Sequence, residues 1–595
     1  MGCGGRIPCM ARGSGAVHVA TQRRRYTGKD GVERVYESFL LRRSFRDNGI
    51  VRNETLANLS ALPPDAIAAV KAVLAGQSLA PVDAVATVVR SRPHGHLAAM
   101  SVMAKQLAMP ALLGPSCRNR DIAMALILAR AVAPASKLAT IAWWSDTTLG
   151  PDFAIDGIHT DEVYAAMDWL LARQDIIEKR LAKKHLDPAV NPSRIAMFDL
   201  SSSWVTGRHC ELAARGYSRD GKKGCEQIEY GLLTDPAGRP VAIRVFPGNT
   251  ADPTAFVEAV TTVKDTFKLD DMVMVGDRGM ITTARIDALR ELGGIGWLTA
   301  LRAPQIAALA ADDGPLQMSL FDTVNFAEIS HPDYPAERLI ACRNPALAAE
   351  RARKRTDLLA ATETLLAPIA ARVAAGRLSG AGRIGEAVGK VIGKYKMGKH
   401  FHRTITDTSF TYQRNQTSID TETALDGIYL LRTTLTVDTH DTAAVISAYK
   451  DLSRVERDFR SLKTIDIDLR PIHHHLPDRV RAHVLICMLA AYLTWHLRHA
   501  LRPLTFTDEN PTTRTDPVAP AQRSPHAQHK ATHKTTTDGH PARSYQSLLT
   551  HLSTLARNDI RYGTNGPTIA TLTTPTDLQR RIFEHLGAPT PLTLT

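Results

Sequence analysis

Three acidic residues, far apart in the chain, sit where a carboxylate can do chemistry. Asp199 follows the apolar run Ile195–Phe198 in RIAMFDLSSSWVTGR. Asp277 closes the apolar run DMVMVG. Glu456 lies in VISAYKDLSRVERDFRSLK, where Val455, Phe459 and Leu462 recur at i, i+4 and i+7, the spacing of a helix face. Taken singly, an aspartate at a strand end is usually a solvated turn former. Taken together, three carboxylates without compensating cysteines or histidines form a hard oxygen site suited to Mg²⁺ or Mn²⁺. Two such ions, about 3.5–4 Å apart, activate a water or sugar hydroxyl and stabilise the leaving oxygen of a phosphodiester. Without cations the three carboxylates repel and raise one another's pKa.

Cations flank these acids. Lys463 follows Glu456 by seven residues, two helical turns, which predicts a shared side with Arg460 between them. Such residues hold DNA phosphates. Arg278, next to Asp277, reads either as a phosphate neutraliser or as a solvated side chain. Gly276 and Gly279 let the chain turn tightly beside Asp277. In PGNTADP, Asn249 reads as a turn residue or a supporting donor, and Asp252 as a helix N-cap ahead of Pro253. His209 and Cys210 have no partner pair at ligand spacing and read as packing residues.

The elements that must position these groups begin at Arg194. IAMFDL, QIEYGLLTD, RPVAIRVFPG, MVMVG and IGWLTAL read as five strands. The first three have tight connections; helices TAFVEAVTTVKDTF and ITTARIDALRELG separate the rest. That order predicts an α/β fold with a mixed five-stranded sheet, antiparallel strands first and crossovers after. Asp199 then ends the first strand and Asp277 the fourth, at adjacent carboxyl ends.

Around this core the organisation reads as follows. Residues 17–60 are a small β-rich piece with a hairpin signal at Thr27-Gly28-Lys29-Asp30-Gly31. Its Arg23, Arg24 and Arg25 read as a solvated face or a minor DNA contact. Residues 61–190 are helical, a DNA-binding or assembly domain, in which Trp143 and Trp144 read as core. Residues 191–301 and 446–504 form the two parts of the catalytic core. Between them, 302–445 is an inserted domain of mixed helix and strand. There Lys390, Lys394, Lys396 and Lys399 read either as phosphate contacts or as a solvated hairpin. GEAVGKV has the wrong spacing for a phosphate loop and lacks Ser or Thr after Lys390. Residues 505–542, rich in Thr, Pro and His, read as a disordered linker, with only adventitious metal binding expected at His526, His529 and His533. Residues 543–595 are a short helical close.

The 595 residues carry a net charge of +13, which favours a polyanionic partner, nucleic acid first and anionic membrane second. Seven cysteines without a C-x-x-C pair argue against a disulfide framework or a thiolate zinc site and fit a reducing cytosol. The start MGCGGRIPCMARGSG lacks the apolar core of a secretory signal. VLICMLAAYL is too short to span a bilayer and reads as a buried helix.

These stretches resemble those of bacterial insertion-sequence transposases of the DDE type, the group with an RNase H-like core and a tyrosine–arginine–glutamate–lysine signature. FDLSSSW resembles the first-aspartate strand, GLLTDPAGRPVAIRVFPGNTADP the next two strands, and MVGDRGM the second-aspartate turn. AYKDLSRVERDFRSLK resembles the signature helix, and RPIHHHLPDRVRAHVLICMLAAYL its continuation. The resemblance implies that Asp199, Asp277 and Glu456 ligate two Mg²⁺ ions, with Mn²⁺ as a substitute. It implies that Tyr449 and Lys463 position DNA phosphates. Leu452 stands at the signature's arginine position, leaving Arg454 or Arg460 as substitutes. Trp297 reads as core rather than as a base-handling residue. The resemblance further implies a cut-and-paste transposase acting on double-stranded DNA at terminal inverted repeats and target. It would work in the bacterial cytoplasm as a homodimer or larger synaptic complex, without a membrane. The rival readings are a metal-dependent nuclease without strand transfer and an inactive end-binding repressor.

Overall fold

The computed structural model describes residues 16–29, 31–47, 50–77, 86–222, 224–311, 314–511, 516–563 and 566–595. Asp30 of the expected hairpin turn, and the opening stretch with Cys3 and Cys9, lie outside them. The chain divides into two units: Met1–Ser91 with Asn558–Thr571, and Arg92–Arg557 with Leu572–Thr595.

In the first unit, β1 (Ala16–Thr27), β2 (Glu33–Asp47) and β3 (Ile50–Asn58) form an antiparallel sheet in the order β1-β2-β3. Gly31, with φ +73°, supplies the left-handed residue of the first turn. Helix α1 (Pro64–Leu74) opens with proline in its first turn, lays Lys71 over the Phe39 ring and buries Ile67. Strand β4 (Thr87–Pro93) follows.

The second unit opens with helices α2 (Gly95–Gln106), α3 (Met109–Leu113), α4 (Arg118–Val132), α5 (Lys137–Asp146), α6 (Leu149–Asp152), α7 (Thr160–Leu171) and α8 (Gln174–His185). The periodicity of TDEVYAAMDWLLARQDIIEKRLAKKH predicts one helix, but the structure breaks it between α7 and α8. No Gly or Pro marks the break; Arg173, which donates to Leu113 O at 2.7 Å and stacks on Trp169, accompanies it. Trp144 is fully buried.

Then come β5 (Ile195–Trp204), β6 (Gln227–Thr234), β7 (Pro240–Pro247), α9 (Asp252–Thr261), β8 (Met272–Val275), α10 (Thr283–Leu292) and β9 (Ile295–Ala300). All five expected strands are present. Three details differ. Asp199 lies inside β5 rather than at its end, because Ser201, Ser202 and Ser203 continue the strand. Each of these serines is buried, with Ser203 Oγ 3.0 Å from Tyr230 OH and Ser202 Oγ accepting from Arg219 N at 3.0 Å. Ala251, not Asp252, holds the backbone cap position of α9.

The third difference is the sheet's width. The stretch after β9 contributes α11 (Ala303–Leu309), β10 (Phe326–Ile329), β11 (Arg338–Arg343), α12 (Pro345–Ala374), α13 (Ala381–Tyr395), β12 (Phe401–Ile405), β13 (Phe410–Arg414), α14 (Gln416–Ala424) and β14 (Ile428–Thr433). Among the described residues the sheet has eight strands, in the order β10-β11-β14-β9-β8-β5-β6-β7. β14 pairs antiparallel with β9, so the edge that a five-stranded sheet would expose is covered. The lysine-rich glycine stretch is helical, not a hairpin: α13 packs Ile384, Val388 and Ile392 against Leu366, Ile369 and Phe410. Lys390 pairs with Glu386 at 2.8 Å, and Lys399 pairs with Glu422.

Helix α15 (Thr442–Arg460) is capped by Asp441, whose carboxylate accepts from Ala444 N at 2.7 Å. Its stripe of Val445, Leu452, Val455 and Phe459 is buried against β5, β8 and β9. Helix α16 (Pro477–Ala500) is longer than its apolar run suggests, and by length and composition it could cross a membrane. It is instead the core helix, packed on α2, α4, α7 and β7. The stretch 505–542, expected as a disordered linker, contains helix α17 (Pro525–His533) and a fully buried Val518. Composition misses what orders it: Lys530 is buried, pairs with Glu509 and donates to Arg502 O at 3.1 Å. The chain closes with α18 (Tyr545–Ser553), β15 (Ala556–Arg561), β16 (Thr568–Leu572) and α19 (Asp577–His585). β15 and β16 join β4 in a further three-stranded sheet.

Candidate active site

The parallel pairing of β5 and β8 runs Ile195↔Val273, Ala196↔Met274, Met197↔Val275. Asp199 and Asp277 each fall two residues past the last rung. Strand β8 ends at Val275, so Asp277 stands in the turn just past the end of the strand that neighbours the one carrying Asp199. Strand alternation sends Asp199 to the face that holds Ser201 and Ser203. Tyr230, opposite Ser201, shares that face and meets Phe459 of α15 at a ring distance of 5.8 Å. Helix α15 therefore covers the face with Asp199, while Phe256 of α9 packs on Phe198 behind it. Glu456 follows the buried Val455 and is exposed.

Each carboxylate is held locally. Asp199 accepts from Leu200 N at 2.8 Å. Asp277 Oδ1 accepts from Gly279 N at 2.8 Å and Met280 N at 2.9 Å. A side chain at Gly279 would press against that oxygen, its Cβ at 3.1 Å. Burial pushes the Asp199 carboxyl up to about pH 7, and the charges of Asp277 and Glu456 add to the shift; the Leu200 N–H and Arg219 oppose it. The three acids thus act on one another. A divalent cation supplies the opposite charge that would lower the Asp199 pKa again. Among the described residues, though, no group of three or more His, Cys, Asp or Glu side chains is gathered tightly enough to hold a metal ion. The donor chemistry fits Mg²⁺, but the side chains do not stand at ligand spacing.

A cavity of about 1270 Å³ adjoins the acids. Asp277, Arg278, Tyr449, Leu452 and Glu456 line one side, and Arg351, Lys354 and Lys399 line another. Tyr449 is half-buried; burial first, then the Asp277 charge, pushes its hydroxyl up to about 12, so it keeps its proton at neutral pH. Arg278 and Arg460 are exposed. Arg454 is engaged elsewhere, donating to Pro236 O at 2.7 Å and pairing with Asp451 at 2.9 Å.

Lys463 departs from expectation. It is buried and donates to Asp220 at 2.8 Å; Arg470 pairs with the same carboxylate. The cause is local: α15 gives way to a π-helical turn over Ser461–Ile465, so regular helical spacing from Glu456 ends before Lys463. Leu452 is buried, as an apolar residue at the signature's arginine position requires. Asn249 is exposed, and Cys210 is buried. Trp297 is a buried strand residue whose indole N–H donates to Glu337 at 3.1 Å.

Sequence reading missed two features. Arg351 and Lys354, both exposed on α12, are three residues apart on a long charged helix, and that spacing was the available signal. Arg219 and Asp220 sit in an irregular stretch that carries no periodicity, so nothing pointed to them.

Comparison with known proteins identifies the class. Residues 201–493 match the transposase DDE domain, a span that begins two residues after Asp199 and includes Asp277 and Glu456. The chain thus contains a DDE transposase domain, and the proteins of that family are DNA-acting enzymes that are generally metal-dependent. More particularly, residues 23–82 match the N-terminal domain of IS1634 family transposases. No curated protein matches the chain. A solved structure, the cryo-EM piggyBac transposase synaptic complex with hairpin DNA, is similar at 8% identity over 79% of this chain and 81% of that one. Its TM-score of 0.31 is too low to support a structural inference.

Proposed function

We propose that this chain carries out cut-and-paste transposition by phosphodiester hydrolysis and strand transfer at the terminal inverted repeats of its element. The observation that supports this best is the β5–β8 register, whose last rung Met197↔Val275 lies two residues before both Asp199 and Asp277, beneath the helix bearing Glu456. The order β9-β8-β5-β6-β7 supports reading the central strands as an RNase H-like core, with 302–445 as an inserted domain.

In this reading Asp199, Asp277 and Glu456 are the residues that would hold two Mg²⁺ ions. When bound, the ions supply charge to polarise the scissile phosphate and acidify the attacking hydroxyl. The chain's own groups do the rest. Asp199 gives up its proton as positive charge arrives. Tyr449, still protonated, donates a hydrogen bond to a phosphate oxygen, and Arg278 and Arg460 neutralise neighbouring phosphates. Water attacks phosphorus, the P–O3′ bond breaks and the departing oxygen takes up a proton; the freed 3′-hydroxyl then attacks a target phosphodiester, whose own P–O3′ bond breaks as the new ester bond forms. Two DNA ends and one site per chain call for a homodimer or larger assembly on double-stranded DNA. The same reading makes this a bacterial cytoplasmic protein, associated with the nucleoid when on DNA.

Leu452 and the loose spacing of the acids favour a second reading, a repressor that binds element ends without cutting. Incubating the chain and an Asp277→Ala chain with Mg²⁺, labelled end DNA and a target plasmid decides between them. Joined products with the unmodified chain alone are expected. Free ends without joining point to a nuclease, and binding without cleavage points to the repressor.

A further inference from the structure

Helix α15 sets Lys450 next to Tyr449, and its ammonium reaches a short stretch 67 residues further on. Lys450 Nζ donates to Pro517 O at 2.5 Å, Val518 O at 2.6 Å and Ala519 O at 3.2 Å. Three successive carbonyls thus match the three donors of an ammonium. The stretch is itself stiff. Asp516 Oδ1 accepts from Val518 N at 2.8 Å, Ala519 N donates to Asp516 O at 3.2 Å, and Val518 is fully buried. It also reaches two other elements. Val518 O accepts a second bond, from Asn344 Nδ2 at 3.4 Å, and Asn344 caps α12, where its side chain accepts from Leu347 N at 3.1 Å. Asp516 Oδ2 accepts from Asn325 Nδ2 at 2.7 Å, just ahead of β10. Residues 516–519 therefore tie α15 to the start of α12.

Those two helices supply two sides of the cavity. Tyr449 and Glu456 come from α15, one residue before Lys450 and six after it. Arg351 and Lys354 come from α12, seven and ten residues past its cap. We propose that Lys450 is a positioning residue: through 516–519 it braces α15 against α12, and so sets where the acids stand relative to the cations, without itself touching DNA. The inference rests on the transposase reading for the reaction it serves. The ammonium is committed to carbonyls rather than offered to phosphate. Acids that cut and cations that hold the phosphates act on one substrate only when their separation is fixed, and a misplacement of about 1 Å costs about a hundredfold in rate. Removing Lys450 strips a charged donor from three carbonyls at once, so the brace fails as a unit.

The test uses the full chain, saturating over labelled element-end DNA with Mg²⁺, and reads a single turnover. In Lys450→Ala the rate constant should fall about tenfold to a hundredfold, with duplex affinity and its salt slope unchanged. Propylammonium, which replaces the missing atoms from Cγ to Nζ, should restore the rate, and 1-propanol should not. Asp516→Ala, which loosens the stretch from its other side, should slow the same step and ignore propylammonium. A purely structural role would lower the melting temperature yet leave the rate constant at saturation unchanged and deaf to the amine; that result overturns the proposal. So does a salt slope lower by about 0.9, which would make Lys450 a phosphate contact. The Leu347 amide gives a reading independent of cutting: its hydrogen exchange should quicken in Lys450→Ala and slow again with propylammonium. If the unmodified chain never cuts, that exchange result upholds the brace while the catalytic reading falls. Cutting with unchanged rate and exchange does the reverse.

Discussion

Asp199 and Asp277 are separated by 77 intervening residues, yet each stands two residues beyond the Met197↔Val275 rung of one parallel strand pair. Backbone hydrogen bonding, not side-chain attraction, sets them together. Two like charges are thereby held close with burial opposing ionisation, and that arrangement is costly unless a cation enters.

The first prediction follows from that cost. With its pKa near 7, Asp199 is mostly protonated at pH 6. Mg²⁺ binding should release about 0.9 proton per site at pH 6 and about 0.1 at pH 8. Indicator-dye titration in weak buffer measures this. Asp199→Asn should abolish the release and lower cleavage by at least about a hundredfold. Release that does not vary with pH would refute the assignment.

Lys463 is tied to Asp220 rather than exposed to DNA. Lys463→Ala should therefore destabilise the fold by about 2–4 kcal/mol, because it strips one partner from a buried carboxylate. Its salt slope for duplex binding should not change. Urea unfolding and anisotropy titration separate the two effects; a reduced slope would restore a direct phosphate role.

Arg351 and Lys354 face the cavity beside the acids. Arg351→Ala/Lys354→Ala should weaken end-DNA binding and reduce the salt slope by about 1.8, with little change in melting temperature. A lower melting temperature with an intact slope would assign the pair to packing.

Lys137 of α5 gives a pH effect away from the acids. It is buried beside Arg130, with its Nζ 3.3 Å from His483 Nδ1. Burial first, then Arg130, lowers its pKa to about 7. Because the folded value lies below the unfolded one, its stabilising contribution is full above the unfolded pKa and is lost as pH falls through about 7. Lys137→Met should raise stability at pH 7 by on the order of 2–4 kcal/mol and flatten its rise between about pH 7 and 10. Thermal melts across that range provide the check.

The strands of the central sheet were legible because apolar runs and turn residues are local signals. What was not legible depended on partners. The Ser201–Ser203 run looks like a turn until Tyr230 and the Arg219 backbone satisfy its hydroxyls. Residues 505–542 look disordered until Lys530 meets Glu509. The direction of Lys463 was lost to a π turn that no residue type announces. The width of the sheet was hidden because β14 lies far along the chain from β9, its neighbour.

β14 also pairs with β11, and since Arg343 pairs with Ile428 the chain leaves the sheet after β11 and rejoins it at nearly the same point. Everything between is a cassette whose two ends are clamped together, and closing a longer loop costs only slightly more entropy. Its contents can be shortened, enlarged or exchanged while β14 and the α15 helix that follows it keep their station, so that stretch can diverge without rebuilding the sheet.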